Sequence, residues 1–205
     1  MNAVPELRSA PEETRRRILE ATRELYVRYG SRGTTTREVA ARAGVNEATI
    51  FRHFRTKHAL LDAMREYFCE AKTLRAAVAG FSGDLETDLH SLGCVLSERL
   101  AFLEDLIRVS MGEETTDPTG GETTFRGYAQ VRQIVNDYLR SHVEAGRLRG
   151  NPEALGRFYV GMLFAHIVVR KMYPEGRPPI PKIVQECNDI FLNGVRISDV
   201  MKESA

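Results

Sequence analysis

Residues 34–60 read TTTREVAARAGVNEATIFRHFRTKHAL, and this stretch decides the fold. Thr35 and Glu38 stand at capping-box spacing, so a helix starts here. Val39, Ala40 and Ala43 give that helix a core face. Gly44 ends it, because the left-handed conformation of a helix stop costs glycine little. Asn46 suits the N-cap of a second helix, and Thr56 that of a third. On a wheel at 100° per residue, Ile50 and Phe54 form the core side of the second helix together with Val45. Ala48 and Arg52 fall nearly opposite, Thr49 and Phe51 flank them, and Glu47 and His53 lie nearer the core edge. The outward face is small, polar and basic. An arginine there reaches guanine O6 and N7, and a threonine offers a hydroxyl or a methyl to a base. Two short helices joined by a glycine-bearing turn, the second presenting Arg52 and Thr49, have the pattern of a helix-turn-helix. Spacing alone also fits a packed helical hairpin with no DNA role.

Working outward, a first helix is expected from Ser9, with Ser9 and Glu12 as its capping box. Its apolar stripe is centred on Ile18, Ala21, Leu25 and Tyr29, widened by Leu19 and Tyr26. Gly30 and Gly33 end it. Downstream, the punctuation predicts a long helix from Thr56 to about Gly80, then helices near 84–111, 123–146, 152–173 and 180–197. The polar segment Gly112–Glu122, GEETTDPTGGE, reads as a loop. The run Phe158–Val169 is apolar nearly all round, which predicts burial on several sides. No strand alternation or internal repeat appears. The expected fold class is all-α: an N-terminal three-helix helix-turn-helix domain at 9–56 (motif 35–54), then a larger helical ligand-binding and dimerisation domain at 57–200.

The 34–60 segment resembles the DNA-binding domain of the tetracycline-repressor (TetR) family. That family's typical run is T-x-x-x-I-A-x-x-A-G-V-S-x-G-T-x-Y-x-H-F-x-S-K-x-x-L. Here it stands as Thr35, Val39, Ala40, Ala43-Gly44-Val45, Asn46, Ala48-Thr49, Phe51, His53-Phe54, Thr56-Lys57 and Leu60. With the preceding helix, TRRRILEATRELYVRYG, the likeness covers about 55 residues. The resemblance implies DNA contacts from Thr35, Thr36, Arg37, Asn46, Ala48, Thr49, Phe51, Arg52, His53 and Lys57. Thr36, His53 and Lys57 would hold phosphates; Lys57, at a helix start, is helped there by backbone N–H groups. Arg52 and Thr49 would touch bases. The sequence departs from the family pattern at four places. Phe51 lacks the hydroxyl of the usual Tyr, Ala48 adds a methyl to the usual Gly, Glu47 is acidic where a basic residue is frequent, and His58 replaces an acidic residue.

The resemblance further implies that the remaining helices enclose a small-molecule pocket and that the last two pair with a second subunit. His90, Cys94, Phe102, Phe125, Tyr128, Met162 and His166 mix apolar bodies with polar tips and are the candidate ligand contacts. Phe158, Leu163, Ile167, Ile183, Ile190 and Phe191 are the candidate dimer interface, as a four-helix arrangement. A two-fold dimer implies a palindromic operator on double-stranded DNA, with recognition helices about 34–36 Å apart. The partners expected are therefore DNA, a small-molecule effector and a second copy of the chain.

Composition narrows the classes. The chain has 205 residues, 42% apolar and 28% charged, ordinary for a globular protein. Net charge is only +1, but residues 1–68 hold 13 Lys/Arg against 9 Asp/Glu, and the remainder 16 against 19. A basic first third with an acidic remainder suits a DNA reader joined to a larger regulatory body. No apolar run is long enough for a membrane span, and the N-terminus has no apolar signal core, so a cytoplasmic protein is expected. Cys69, Cys94 and Cys187 form no C-x-x-C pair. There is no H-E-x-x-H, no phosphate-binding glycine loop and no nucleophile elbow, so neither an enzyme nor a cofactor or metal site is expected. The competing readings are a ligand-independent regulator or activator of the same fold, and an all-helical carrier or enzyme.

Overall fold

The computed structural model describes residues 10–69, 71–113, 118–169 and 178–195, with residues 118–127 described as helical backbone. It contains helices α1 (Ala10–Gly33), α2 (Thr36–Ala43), α3 (Glu47–Phe54), α4 (Lys57–Cys69), α5 (Lys72–Ala79), α6 (Leu85–Glu113), α7 (Pro118–Glu144), α8 (Pro152–Ile167) and α9 (Ile180–Val195). Among the described residues, nothing extended is longer than one bridge residue at Leu148. The fold class is all-α, with a helix-turn-helix at the N-terminal end. Two compact units result: Met1–Glu70 with Asp105–Phe125, and Ala71–Glu104 with Arg126–Ala205. The expected boundary at residue 56 thus moves past α4, and the end of α6 joins the N-terminal unit.

In the N-terminal unit, α1 packs on α2 and α4, and α3 packs on both α2 and α4. The buried line of α1 is Ile18, Leu19, Ala21, Thr22 and Tyr26. It is rotated from the expected stripe, because Tyr29 is half exposed and the helix kinks at Gly30, whose φ of 68° suits glycine. α1 therefore breaks at Gly30 as expected, but helical structure resumes to Gly33. The Ser9 cap lies outside the described residues. Ile50, Phe54, Leu60, Leu61 and Met64 from α3 and α4 complete this core. A buried polar cluster braces it. The Tyr26 hydroxyl donates to Glu113 Oε2 at 2.8 Å and accepts from Arg65 at 3.4 Å, while the Ser31 N–H donates to Glu113 Oε1 at 2.5 Å. Arg65, almost wholly buried, also pairs with Asp62 at 3.1 Å.

In the C-terminal unit, Leu89, Leu92 and Leu96 of α6 are buried together with Val135 and Leu139 of α7, Tyr159, Val160 and Leu163 of α8, and Ile183, Val184 and Phe191 of α9. Their spacings of three, four and seven residues, with the adjacent pairs Tyr159–Val160 and Ile183–Val184 widening the stripe, are those of single helix faces. Tyr159 is an internal brace, donating toward the Leu89 carbonyl and Asn188 Oδ1, both at 2.9 Å.

Several expected boundaries move. The predicted helix 56–80 is two helices, α4 ending at Cys69 and α5 starting at Lys72. No Pro or Gly marks that break, so the sequence carries no local signal for it. Within the predicted loop 112–122, α6 runs through Gly112 to Glu113 and α7 begins at Pro118, a favoured first-turn residue, while residues 114–117 lie outside the described residues. α8 ends at Ile167, short of 173. The apolar run along α8 is not buried all round: Phe158 and Val169 are exposed, with Gly161, Ala165 and His166 exposed between them.

Candidate nucleic-acid interface

The turn between α2 and α3 is built by local hydrogen bonds that satisfy the free helix ends. Thr35 Oγ1 accepts from the Glu38 N–H at 3.2 Å, and Glu38 reaches back to the Thr35 N–H at 3.4 Å, completing the capping box. Gly44 takes φ 65°, ψ 41°, and its N–H reaches the carbonyls of Ala40 and Ala41. Asn46 Oδ1 caps α3, accepting from the Thr49 N–H and the Thr49 hydroxyl, both at 2.8 Å. Every one of these contacts follows from residue types at fixed offsets, which is why this segment was legible.

The α3–α4 turn is tighter. Arg55 has φ 63°, ψ −44°, and the Thr56 N–H bonds the Phe54 carbonyl at 2.7 Å. This is the strained, positive-φ form of the γ-turn, uncommon for a residue with a side chain. Thr56 Oγ1 then caps α4 by accepting from the Ala59 N–H at 3.0 Å. Lys57 is the first residue of α4, so its ammonium accompanies the free N–H groups of a helix start.

The side chains divide as the wheel divides them. Ile50 and Phe54 are buried, while Ala48, Phe51 and Arg52 are exposed and Thr49 is half-buried. Thr35, Arg37 and Asn46 are exposed; Thr36, His53 and Lys57 are half-buried. The N-terminal unit thus brings all ten predicted DNA contacts onto the α2 and α3 helices, their caps and the start of α4. Glu47, placed near the core edge by the wheel, is exposed and accepts a bond from the Thr36 hydroxyl at 2.6 Å. Two hydroxyl protons expected to face DNA, those of Thr36 and Thr49, are thereby committed inside the protein. Phe54 stacks under the Arg15 guanidinium at 5.0 Å. Burial, then the charges of Arg52 and Arg15, hold the His53 imidazole below its ordinary pKa of 6.5.

The chain belongs to the TetR family of bacterial regulators. The family model described as "Bacterial regulatory proteins, tetR family" matches residues 18–64. A second, described as "AefR-like transcriptional repressor, C-terminal domain", matches residues 96–193. The regulator YvkB of Bacillus subtilis is 29% identical over 187 residues, 89% of this chain and 97% of that protein. A TetR-family transcriptional regulator of Mesorhizobium loti has the same fold, with a TM-score of 0.79 at 18% identity, covering 93% of this chain and 100% of the other. A transcriptional regulator of Saccharomonospora viridis, solved in complex with choline, has a TM-score of 0.70 at 20% identity, covering 91% and 100%. The protein is accordingly a helix-turn-helix DNA-binding transcriptional regulator.

The expected ligand contacts do not converge. His90 and Cys94 are one turn apart on α6, with Nε2 and Sγ 3.6 Å apart. Burial, then the Glu98 charge, pushes the Cys94 thiol up, which disfavours a reactive thiolate. Phe102 is more than half exposed. Tyr128 lies under Arg132 on the surface of α7. Met162 is half-buried, and His166, expected inside an apolar run, is exposed. Phe125 lies outside the residues whose side chains are described. Of the six whose side chains are described, only His90 lines a groove of about 470 Å³ between α6 and α9, formed with Glu86, Thr87, Ser91, Gln185, Asn188, Asp189, Leu192 and Asn193. Sequence reasoning missed these partners because polar residues on exposed helix faces carry no periodic signal. Among the described residues, no group of three or more His, Cys, Asp or Glu could hold a metal, and no helix is long and apolar enough to cross a membrane.

The expected dimer residues also separate. Leu163, Ile167, Ile183 and Phe191 are buried in the C-terminal unit of the single chain, which corrects their assignment to a subunit interface. Their side chains have no surface left to offer. Phe158 and Ile190 are about 70% exposed.

Proposed function

We propose that this regulator is a dimeric repressor that binds a palindromic operator in the cytoplasm and is released by a small-molecule effector. The observation that carries the DNA half is α3: capped at Asn46, anchored by Ile50 and Phe54, and presenting Ala48, Phe51 and Arg52 outward. In this reading Thr35, Arg37, Asn46, His53 and Lys57 position the domain on the backbone, Thr36 spends its hydroxyl proton on Glu47 instead, and Arg52 and Thr49 touch base edges, Thr49 by its methyl. The repressor sign follows the description of the family that matches residues 96–193.

Phe158, Gly161, Ala165 and Val169 make an apolar strip along α8 and just past its end, exposed in the single chain, with Ile190 exposed on the adjoining α9. A second copy meeting this strip gives the expected four-helix interface with the exposed residues in place of the core ones. For the effector, the α6–α9 groove has the volume of a small-molecule site. An effector must bind the DNA-competent and DNA-incompetent arrangements with different affinity, whatever its total affinity.

The test is selection from random DNA with the purified protein at physiological salt. The expected result is a palindrome with half-sites about one helical turn or slightly more apart. Weak, salt-sensitive binding with no enriched sequence overturns the reading. Arg52→Ala should then cost roughly 1–3 kcal/mol at one base pair per half-site; undiminished discrimination removes Arg52 from the reading face.

A further inference from the structure

The Thr36 hydroxyl donates to Glu47 Oε1 at 2.6 Å. This bond ties the first residue of α2 to the first residue of α3. It spends the proton that would have made Thr36 a phosphate donor. It also fixes an acidic side chain at the head of the helix that faces the DNA, where the N-terminal partial charge of α3 favours a carboxylate. Glu47 is exposed, and among the described hydrogen bonds its second oxygen, Oε2, accepts none.

A carboxylate only accepts hydrogen bonds, so the base it tolerates must offer a donor in the major groove. Guanine presents the acceptors O6 and N7, and thymine presents O4 and a methyl. Both confront the carboxylate with like polarity. Adenine offers its N6 amino group but sets the N7 acceptor beside it. Cytosine offers the N4 amino group with only the C5–H beside it on its own base, so the acceptors, O6 and N7 of the paired guanine, lie on one side only. The first residues of a recognition helix are those that reach base edges.

Resting on the reading of α3 as the recognition helix, we propose that Glu47 is a specificity-determining residue that selects cytosine at one position of each half-site. Thr36 is its positioning residue. Part of the selectivity is rejection: a fixed carboxylate excludes guanine and thymine as well as attracting cytosine. The entropy of ordering the side chain is already spent in the free protein.

The experiment is selection from random DNA with the full-length wild type, Glu47→Gln, Thr36→Val and Thr36→Ser, followed by titration of the best site and its single-base variants. Thermal melting of each variant shows that it is folded. Glutamine both donates and accepts and matches the N7 and N6 edge of adenine. Glu47→Gln should therefore lose cytosine preference at one position per half-site by roughly tenfold or more and move it toward adenine. Thr36→Val should blunt the same preference while leaving total affinity near wild type, and Thr36→Ser should restore it. If Glu47→Gln enriches the same sites to the same depth as wild type, the assignment is wrong and the regulator reading stands. If Thr36→Val instead weakens binding to all sequences alike, Thr36 holds a phosphate and the positioning role is wrong. If neither wild type nor variant enriches any sequence, the regulator reading itself falls.

Discussion

The Thr49 hydroxyl and backbone N–H both donate to the carboxamide oxygen of Asn46 at 2.8 Å, so one exposed side chain caps the recognition helix and orients its neighbour. A side-chain N-cap stabilises a helix by about 1 kcal/mol relative to alanine. Asn46→Ala should therefore lower the stability of the protein by about 1 kcal/mol, measured by urea unfolding. Asn46→Asp keeps the cap but adds a negative charge facing the DNA backbone. It should melt like wild type and bind operator more weakly. Equal losses of stability in both variants would remove the capping bond from the account.

His53 gives the interface a pH dependence with a definite sign. Burial and the charges of Arg52 and Arg15 depress its pKa below 6.5 in the free protein, so the ring is neutral near pH 7.5. A bound phosphate favours the imidazolium and raises that pKa, so binding takes up a proton. Operator affinity should therefore rise as pH falls from about 8 to about 6, the range in which histidine titrates. His53→Gln should flatten that rise. A parallel rise in the variant would show that another group takes up the proton.

Lys57 should act without regard to sequence. As the first residue of α4 it is expected, in the proposed dimer, to neutralise one phosphate per subunit. Lys57→Ala should weaken binding to specific and random DNA alike. In a dimer it should reduce the slope of log affinity against log salt by about 2, one unit per lost phosphate contact on each subunit. An unchanged slope would exclude a phosphate contact.

What was legible in the sequence is what short-range rules dictate. Thr35 with Glu38, Gly44, and Asn46 three residues before Thr49 name caps and turns by type and offset, and the structure builds each one. Ile50 and Phe54 were assigned to the core by period alone and are buried. The break between Cys69 and Lys72 was not legible, because neither Gly nor Pro stands there. Leu163 and Phe191 show the deeper limit. An apolar residue on a helix of a bundle faces either its own chain's core or another chain, and both need the same side chain. Only the packed chain separates these from Phe158 and Ile190, which its own core leaves outside.

That separation has a consequence for assembly. Phe158 is 69% exposed in the single chain, and burying such a ring contributes about 1.5–3 kcal/mol. In a two-fold interface each substitution appears twice. Phe158→Asp should thus raise the dimer dissociation constant by roughly a hundredfold or more, from about 3–6 kcal/mol over two copies. Phe191→Ala, inside the core, should instead lower unfolding stability by about 3–5 kcal/mol. Sedimentation and thermal melting distinguish the two. A Phe158→Asp protein that remains dimeric at micromolar concentration would place the interface elsewhere.

The packing of α7 against α8 depends on a missing methyl group. A Cβ at Gly156 would lie 1.9 Å from Asn136 Oδ1 and 3.0 Å from its Cγ. In a solvent-exposed helix, glycine to alanine stabilises by up to about 1 kcal/mol. Here the sign should reverse, because the buried Asn136 amide, itself 4% exposed, has to move. Gly156→Ala should destabilise by about 1–3 kcal/mol, the usual cost of overpacking. For a chain of this size that is a melting-temperature loss of roughly 2–4 °C per kcal/mol. Asn136→Ala removes the obstacle, so adding Gly156→Ala to that background should be neutral or stabilising. The double-mutant cycle isolates the contact: a coupling near zero, with Gly156→Ala equally harmful in both backgrounds, would mean that the helices are held apart by something other than this pair.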